Sequence, residues 1–176
     1  MKREEFVESL PEKQISVLLA EDHASFRKSL RLLIEFDGDI EVEGEAKNGR
    51  EAVRMTKSLH PEVIVMDLTM PFLNGLQATE EIMAQSPGTR VLILSAHPDP
   101  EYIKKAVRCG ASGYLIKQSS THVLAHAIRE VFKGNSFFCA PITKALCEEC
   151  KKVFGKAELL KKKAACLSIP CGSEDH

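Results

Sequence analysis

Between residues 15 and 134 the chain switches repeatedly between short apolar runs and stretches with apolar residues every three or four positions. Ile15–Ala20 is apolar except for Ser16, as a strand buried on both faces requires. Phe26, Leu30, Leu33 and Ile34 follow at helical spacing, and Asp37-Gly38-Asp39 stops that helix. Ile40–Ala46 alternates apolar and acidic residues, which predicts a half-exposed strand punctuated by Asn48-Gly49. Ala52, Val53, Thr56 and Leu59 predict the next helix, bounded by Pro61. Residues 63–66 form a second buried strand ending in Asp67. A loop with Pro71 and Asn74-Gly75 leads to a helix with Leu76, Thr79, Ile82 and Met83 inward. Residues 91–94 are a buried strand ending in Ser95. Pro98 and Pro100 open a helix with Ile103, Ala106 and Val107, stopped at Gly110. Residues 112–116 make a short strand ending in Lys117, and Leu124, Ala127, Ile128 and Val131 mark a last helix closed near Gly134. Five strands alternating with five helices predict an α/β fold: a doubly wound, five-stranded parallel sheet with helices on both faces.

The flanks have a different texture. Residues 1–14 are charged and read as an arm, with a short helix around Phe6, Val7 and Leu10. Residues 135–154 read as a loop containing Phe137-Phe138 and Pro141, where two adjacent phenylalanines must tuck against something. An extra C-terminal helix with Ile142, Leu146 and Val153 apolar follows over 142–154. Residues 155–176 are expected to be a poorly ordered basic tail. Its lysines, with Lys151 and Lys152 before it, are expected to be solvated; contact with nucleic acid is the less favoured outcome.

Composition narrows the classes. The chain has 176 residues, 44% of them hydrophobic and 28% charged, enough to bury a core and too apolar for a disordered polypeptide. Its 24 basic and 25 acidic residues give no global pull toward nucleic acid or an anionic membrane. No apolar run approaches the roughly 18 residues of a membrane span. The charged start has no following apolar stretch, so no secretory signal is expected. With no Trp and 6% aromatics, an aromatic platform for single-stranded nucleic acid is disfavoured. Cys109 stands apart from Cys139, Cys147, Cys150, Cys166 and Cys171, and all six read as reduced thiols. A zinc site built from Cys147, Cys150, Cys166 and Cys171 is the weaker reading, because the second pair has four intervening residues and no His nearby except His176.

The strand ends carry the chemistry. In a doubly wound sheet, ligands bind beyond the carboxyl ends of the strands, where strand order reverses. Those ends here are Glu21-Asp22, Asp67, Ser95 and Lys117. Like charges 4 Å apart repel by about 4 kcal/mol at an effective dielectric near 20, so three carboxylates need cationic company. Lys117 supplies one charge, and Mg²⁺ suits an all-oxygen pocket, since no His or Cys is expected at these ends to favour zinc or iron. A carboxylate can accept a phosphoryl group, a cation and an ammonium can stabilise its equatorial oxygens, and a hydroxyl can bond one of them afterwards. No G-x-x-x-x-G-K-[ST] loop occurs, so nucleotide hydrolysis has no support.

Glu21-Asp22, Asp67-Leu68-Thr69-Met70-Pro71 with Asn74-Gly75, Ser95-Ala96, and Gly110-Ala111-Ser112-Gly113-Tyr114-Leu115-Ile116-Lys117 resemble the receiver domain of two-component response regulators. The resemblance spans about residues 15–134. Its closing Lys133-Gly134-Asn135-Ser136-Phe137 is similar to the NarL-type branch. It implies a flavodoxin-like sheet of order 2-1-3-4-5. It implies Asp67 as phosphoacceptor and Lys117 as the partner of the phosphoryl group. Mg²⁺ would be held by Glu21, Asp22, Asp67 and the Thr69 backbone carbonyl, and Ser95 and Tyr114 would be the switch pair. The implied protein is a cytoplasmic signalling protein, not an enzyme in the ordinary sense. A histidine kinase or phosphotransfer protein would phosphorylate it. It would act on a downstream protein, with homodimerisation on phosphorylation a further expectation. A metal-dependent phosphatase of similar topology is disfavoured by the Ser95, Tyr114 and Lys117 set.

Two departures stand out. Gln118 follows Lys117 where many receivers carry Pro. The 42 residues after Gly134 do not resemble the helix-turn-helix domain of NarL-type regulators, so DNA binding through the basic C-terminal segment is kept as the rival output. His97 reads equally as a border of the pocket or a solvated loop residue. His122 and His126 lie one helical turn apart, and a solvated helix face is favoured there over a metal pair.

Overall fold

A computed structural model describes residues 13–118 and 123–138. In chain order the elements are β1 (Ile15–Ala20), α1 (Ala24–Glu35), β2 (Ile40–Ala46), α2 (Gly49–Leu59), β3 (Val63–Asp67), α3 (Gly75–Gln85), β4 (Arg90–Ser95), α4 (Pro100–Arg108), β5 (Gly113–Ile116), α5 (Leu124–Phe132) and β6 (Phe137–Phe138). The sheet is parallel throughout, in the order β2-β1-β3-β4-β5-β6. The doubly wound fold with order 2-1-3-4-5 is therefore as expected, with one strand added.

Burial follows the sequence pattern. The continuous apolar runs of β1, β3 and β4 lie inside the sheet and feed two cores. Leu18, Ile64, Met66 and Ile93 pack on one face with Ala52 and Val53 of α2, Ala78 and Ile82 of α3, and Ile103 and Ala106 of α4. Val17, Leu19, Val65 and Leu94 pack on the other face with Leu30 and Ile34 of α1 and four residues of α5. At the edge, β2 buries Ile40 and Val42 and exposes Glu41 and Glu43, the acidic face that discourages another chain from pairing there.

The Phe137-Phe138 pair forms β6, not the loop expected from the sequence. Phe137 opposes Gly113 and Phe138 opposes Tyr114 in parallel register. A Cβ at Gly113 would stand 2.6 Å from the Phe137 carbonyl oxygen, so only glycine lets the last strand approach. Phe137 is thereby brought to 8% exposure and Phe138 packs beside Tyr114, which is how the pair escapes water.

Both Asn-Gly pairs turn out to be helix starts. Asn48 accepts from Glu51 N, and Asn74 forms a reciprocal capping box with Gln77. Asp99 caps α4, with Pro100 in its first turn. The peptide bonds are all trans among the described residues, Lys117–Gln118 included. The N-terminal helix, the helix over 142–154, the basic tail, His122 and every cysteine except Cys109 lie outside the described residues.

Candidate functional site

Strand order reverses between β1 and β3, and there the two acidic strand ends stand side by side. Asp67 closes β3 and is 3% exposed. Glu21, one residue past β1, is buried, and its N–H continues the ladder to Ala46 O at 3.0 Å. Lys117 follows β5, three strands from β1, and its long stem lets it reach back over the sheet edge. Its Nζ donates to Glu21 Oε2 at 2.8 Å and lies 3.1 Å from Asp67 Oδ1. The ammonium also sits 4.9 Å from the centre of the Phe26 ring.

These charges set one another's protonation. Burial and then the Glu21 carboxylate push Asp67 above its ordinary value, while Lys117 and the Thr69 N–H pull the other way. Burial alone would lower the Lys117 ammonium, but its bond to Glu21 and the charge of Asp67 outweigh that and leave it raised. The Thr69 side chain is exposed at the rim above Asp67.

Sequence reasoning expected no histidine at the strand ends, and His23 corrects that. Its Nδ1 is 3.2 Å from Glu21 Oε1 and 2.8 Å from Asp22 Oδ1. The bond to Glu21, followed by the charge of Asp22, raises the imidazole above its usual value. One ligand atom from each of Glu21, Asp22 and His23 lies within 4.8 Å of the others. Asp22 Oδ1 is shielded from water and faces the exposed His23 ring, off the line of an ideal hydrogen bond. A water-shielded carboxylate oxygen with only an exposed imidazole beside it, next to a second carboxylate, fits a hard divalent cation such as Mg²⁺. The side chains brought within ligand distance of one another here are Glu21, Asp22 and His23.

Arg27 was also missed. The residue is buried, and its guanidinium donates through Nη1 to Glu21 O at 2.7 Å and through Nε to Glu45 Oε2 at 2.9 Å. The Glu21 carbonyl points out of the strand ladder, and Arg27 satisfies it from α1. The signal was legible in part: residues 27, 30 and 34 share one helix face, and only the charge at 27 hid its burial.

Ser95 ends β4 and is fully buried. Its Oγ accepts from His97 N at 3.0 Å, and the Tyr114 hydroxyl donates to His97 O at 2.8 Å. Tyr114 is buried within the sheet core, so its ring lies inward, and Ser95 and Tyr114 both hold the loop after β4. The His97 ring stacks on Tyr102 of α4, with centroids 5.4 Å apart. His126 is exposed on α5, its ring edge-on to Phe137. Gly75 completes the support: a Cβ there would stand 2.2 Å from the Asp67 carbonyl oxygen, so α3 can start beside the acidic strand end only with glycine.

Residues 17–129 match the family model of the response regulator receiver domain. The chain belongs to this family. It is 30% identical to the transcriptional regulatory protein DegU of Brevibacillus brevis over 151 residues, covering 86% of this chain and 64% of DegU. With DesR of Bacillus subtilis, also named a transcriptional regulatory protein, it shares 35% identity over 135 residues, 77% of this chain and 67% of DesR. The receiver domain of a putative response regulator NarL from Mycobacterium tuberculosis superposes with a TM-score of 0.68 at 31% identity, covering 70% of this chain and 99% of that one. A LuxR-family two-component response regulator from Aurantimonas does so with a TM-score of 0.73 at 33% identity, covering 78% and 98%. This receiver chain thus spans less than two thirds of the length of DegU. These relatives are response regulators of the NarL and DegU type. Among the described residues no helix is long and apolar enough to cross a membrane.

Proposed function

We propose that Asp67 accepts a phosphoryl group from a phosphohistidine on a histidine kinase or phosphotransfer protein. The observation that carries this reading is the Asp67 carboxylate itself. It lies at a central strand end, 3.1 Å from Lys117 Nζ and beside the Glu21-Asp22 pair. An Asp67 oxygen attacks phosphorus in line, the P–N bond to the donor imidazole breaks, and the imidazole leaves with the bonding pair. Lys117 keeps Asp67 ionised before transfer and then pairs with a phosphoryl oxygen. Glu21, Asp22, Asp67 and the Thr69 backbone carbonyl would hold Mg²⁺, which neutralises charge on the transferring group.

Ser95 then exchanges its bond with the His97 N–H for one donated to a phosphoryl oxygen. The loop after β4 shifts, and Tyr114, bonded to His97 O, senses that shift. The surface of α4, β5 and α5 differs between the two states, and a partner protein that prefers one state reads the difference. Exposure to acetyl phosphate and Mg²⁺ followed by intact mass measurement tests the assignment. One phosphoryl adduct is expected in the wild type, with none in Asp67→Asn or in chelator.

Control of transcription is the second reading, supported by the names of DegU and DesR. Binding to DNA that weakens steeply with salt would favour it.

A further inference from the structure

Phe72 is 80% exposed and has a φ of 67°. Both properties are unfavourable for this residue. A side chain with a Cβ crowds the backbone at positive φ, and an aromatic ring left in water forgoes the gain of burial. The local hydrogen bonding explains the angle. Leu73 N donates to Pro71 O at 2.8 Å, closing a three-residue turn with Phe72 at its apex. Such a γ-turn with positive φ is rare and strained.

The loop around it is locked. Gly75 N donates to Leu68 O at 2.9 Å, and Asn74 is fixed by its capping box. A Cβ at Gly49 would stand 2.2 Å from Leu73 O, so the loop rests directly on the start of α2. The surroundings therefore hold Phe72 out in water, on a loop that begins at the phosphoacceptor. Gly75 abuts the Asp67 carbonyl, and three extended residues span at most about 11 Å, so Phe72 lies within that reach of the seam between α3 and the end of β3.

We infer that Phe72 is a preformed anchor for the protein that donates the phosphoryl group, engaged by an apolar side chain beside the donor histidine. The inference rests on the proposed phosphorylation of Asp67. Helices cover both faces of the sheet and Asp67 is nearly buried, so a donor protein must arrive over the loops at the strand ends, among whose exposed residues are His23, Thr69, Pro71 and Phe72. Among these Phe72 is the large apolar side chain, and its rigid turn leaves little ordering for binding to oppose. A small donor such as acetyl phosphate needs no such contact.

The test uses the full chain, Phe72→Gly and Phe72→Asn, both of which accept positive φ. Acetyl phosphate with Mg²⁺ should label all three on Asp67 at rates within about twofold; an unlabelled wild type would instead sink the phosphoacceptor reading. A panel of autophosphorylated histidine kinases from the source cell is first screened on the wild type. With the fastest of them, kcat/KM for transfer should fall at least tenfold in both variants. Equal transfer to all three proteins overturns the anchor, as does a wild type that acetyl phosphate labels and no kinase does. Thermal midpoints should hold or rise in Phe72→Gly; a fall of many degrees would mean that the ring packs internally, which also overturns the inference. Concentration-dependent self-association that disappears in the variants while kinase transfer persists would assign Phe72 to a second copy of the chain instead.

Discussion

Tyr114 donates its hydroxyl proton to the carbonyl of His97 across 2.8 Å, while the N–H of the same histidine is bonded to Ser95 Oγ at 3.0 Å. One peptide-long segment is thus fastened to β4 by its N–H and to β5 by its carbonyl. Any force that draws Ser95 toward the phosphoryl site must either stretch this link or carry Tyr114 with it.

Tyr114→Phe removes the second fastening together with the hydroxyl's contact with Ser95. The loss should be modest, about 1 kcal/mol in urea unfolding, because the His97 carbonyl lies on an exposed loop that water can reach. Ser95→Ala should leave Mg²⁺ binding intact, since carboxylates supply the ligands. Both variants should show a weakened change in self-association or partner binding on adding beryllofluoride. A wild-type response in both would remove these residues from the switch.

Asp67→Asn is expected to stabilise the metal-free protein at neutral pH. A carboxyl held above its ordinary value binds its proton more tightly when folded than when unfolded. Its favourable contribution is complete below the ordinary value of 3.8 and is lost as pH rises through the folded value. Above that, ionised Asp67 is a net cost that asparagine does not carry. In chelator at pH 7 the variant should melt several degrees higher, and the gap should close on acidification toward pH 4. A gap independent of pH would contradict the raised value.

Arg27→Met should cost about 2–3 kcal/mol, because the Glu21 carbonyl is left unbonded and Glu45 loses a buried partner. Lysine should recover little of this, lacking the fork that serves both groups. Calorimetric titration should also show weaker Mg²⁺ binding, since the acidic loop loses its brace on the α1 side. Wild-type Mg²⁺ affinity in a folded Arg27→Met protein would confine Arg27 to stability.

Gly75→Ala tests the seam between α3 and the phosphoacceptor strand. Helix propensity alone favours alanine. A methyl 2.2 Å from the Asp67 carbonyl oxygen has only backbone to displace, so the net effect should be a loss of about 1–3 kcal/mol. Acetyl phosphate labelling should slow as well, because the displaced backbone carries the reacting carboxylate. Unchanged stability and labelling would show that the seam can open freely.

Much of the architecture was readable because its cause is local. Ile15–Ala20, Ser16 apart, and residues 63–66 are apolar on both faces, and that feature marks an inner parallel strand. The polar strand ends were readable for the complementary reason: Asp67 and Ser95 interrupt apolar runs where the sheet stops. The remainder depends on distant partners. Two residues are too few for a periodicity, so β6 became visible only once Gly113 was seen to admit the Phe137 carbonyl. Arg27 reads as an exposed helical charge until Glu45 and the Glu21 carbonyl are brought to it. His23 reads as a loop residue until the turn folds its ring back on the carboxylates beside it. Nothing in Pro71-Phe72-Leu73 announces a positive φ at Phe72, because that angle is imposed by what the loop rests on.

Because β6 runs parallel to β5, the chain at Phe138 is heading toward the same edge of the sheet as Asp67. A peptide fused there starts its path directed toward the reactive edge. Its meetings with that edge are intramolecular, at an effective concentration governed by tether length instead of by the amount of protein in solution. A short peptide of weak intrinsic affinity, fused after Phe138, could therefore occupy the phosphorylation edge at protein dilutions where the same peptide added free would leave it bare.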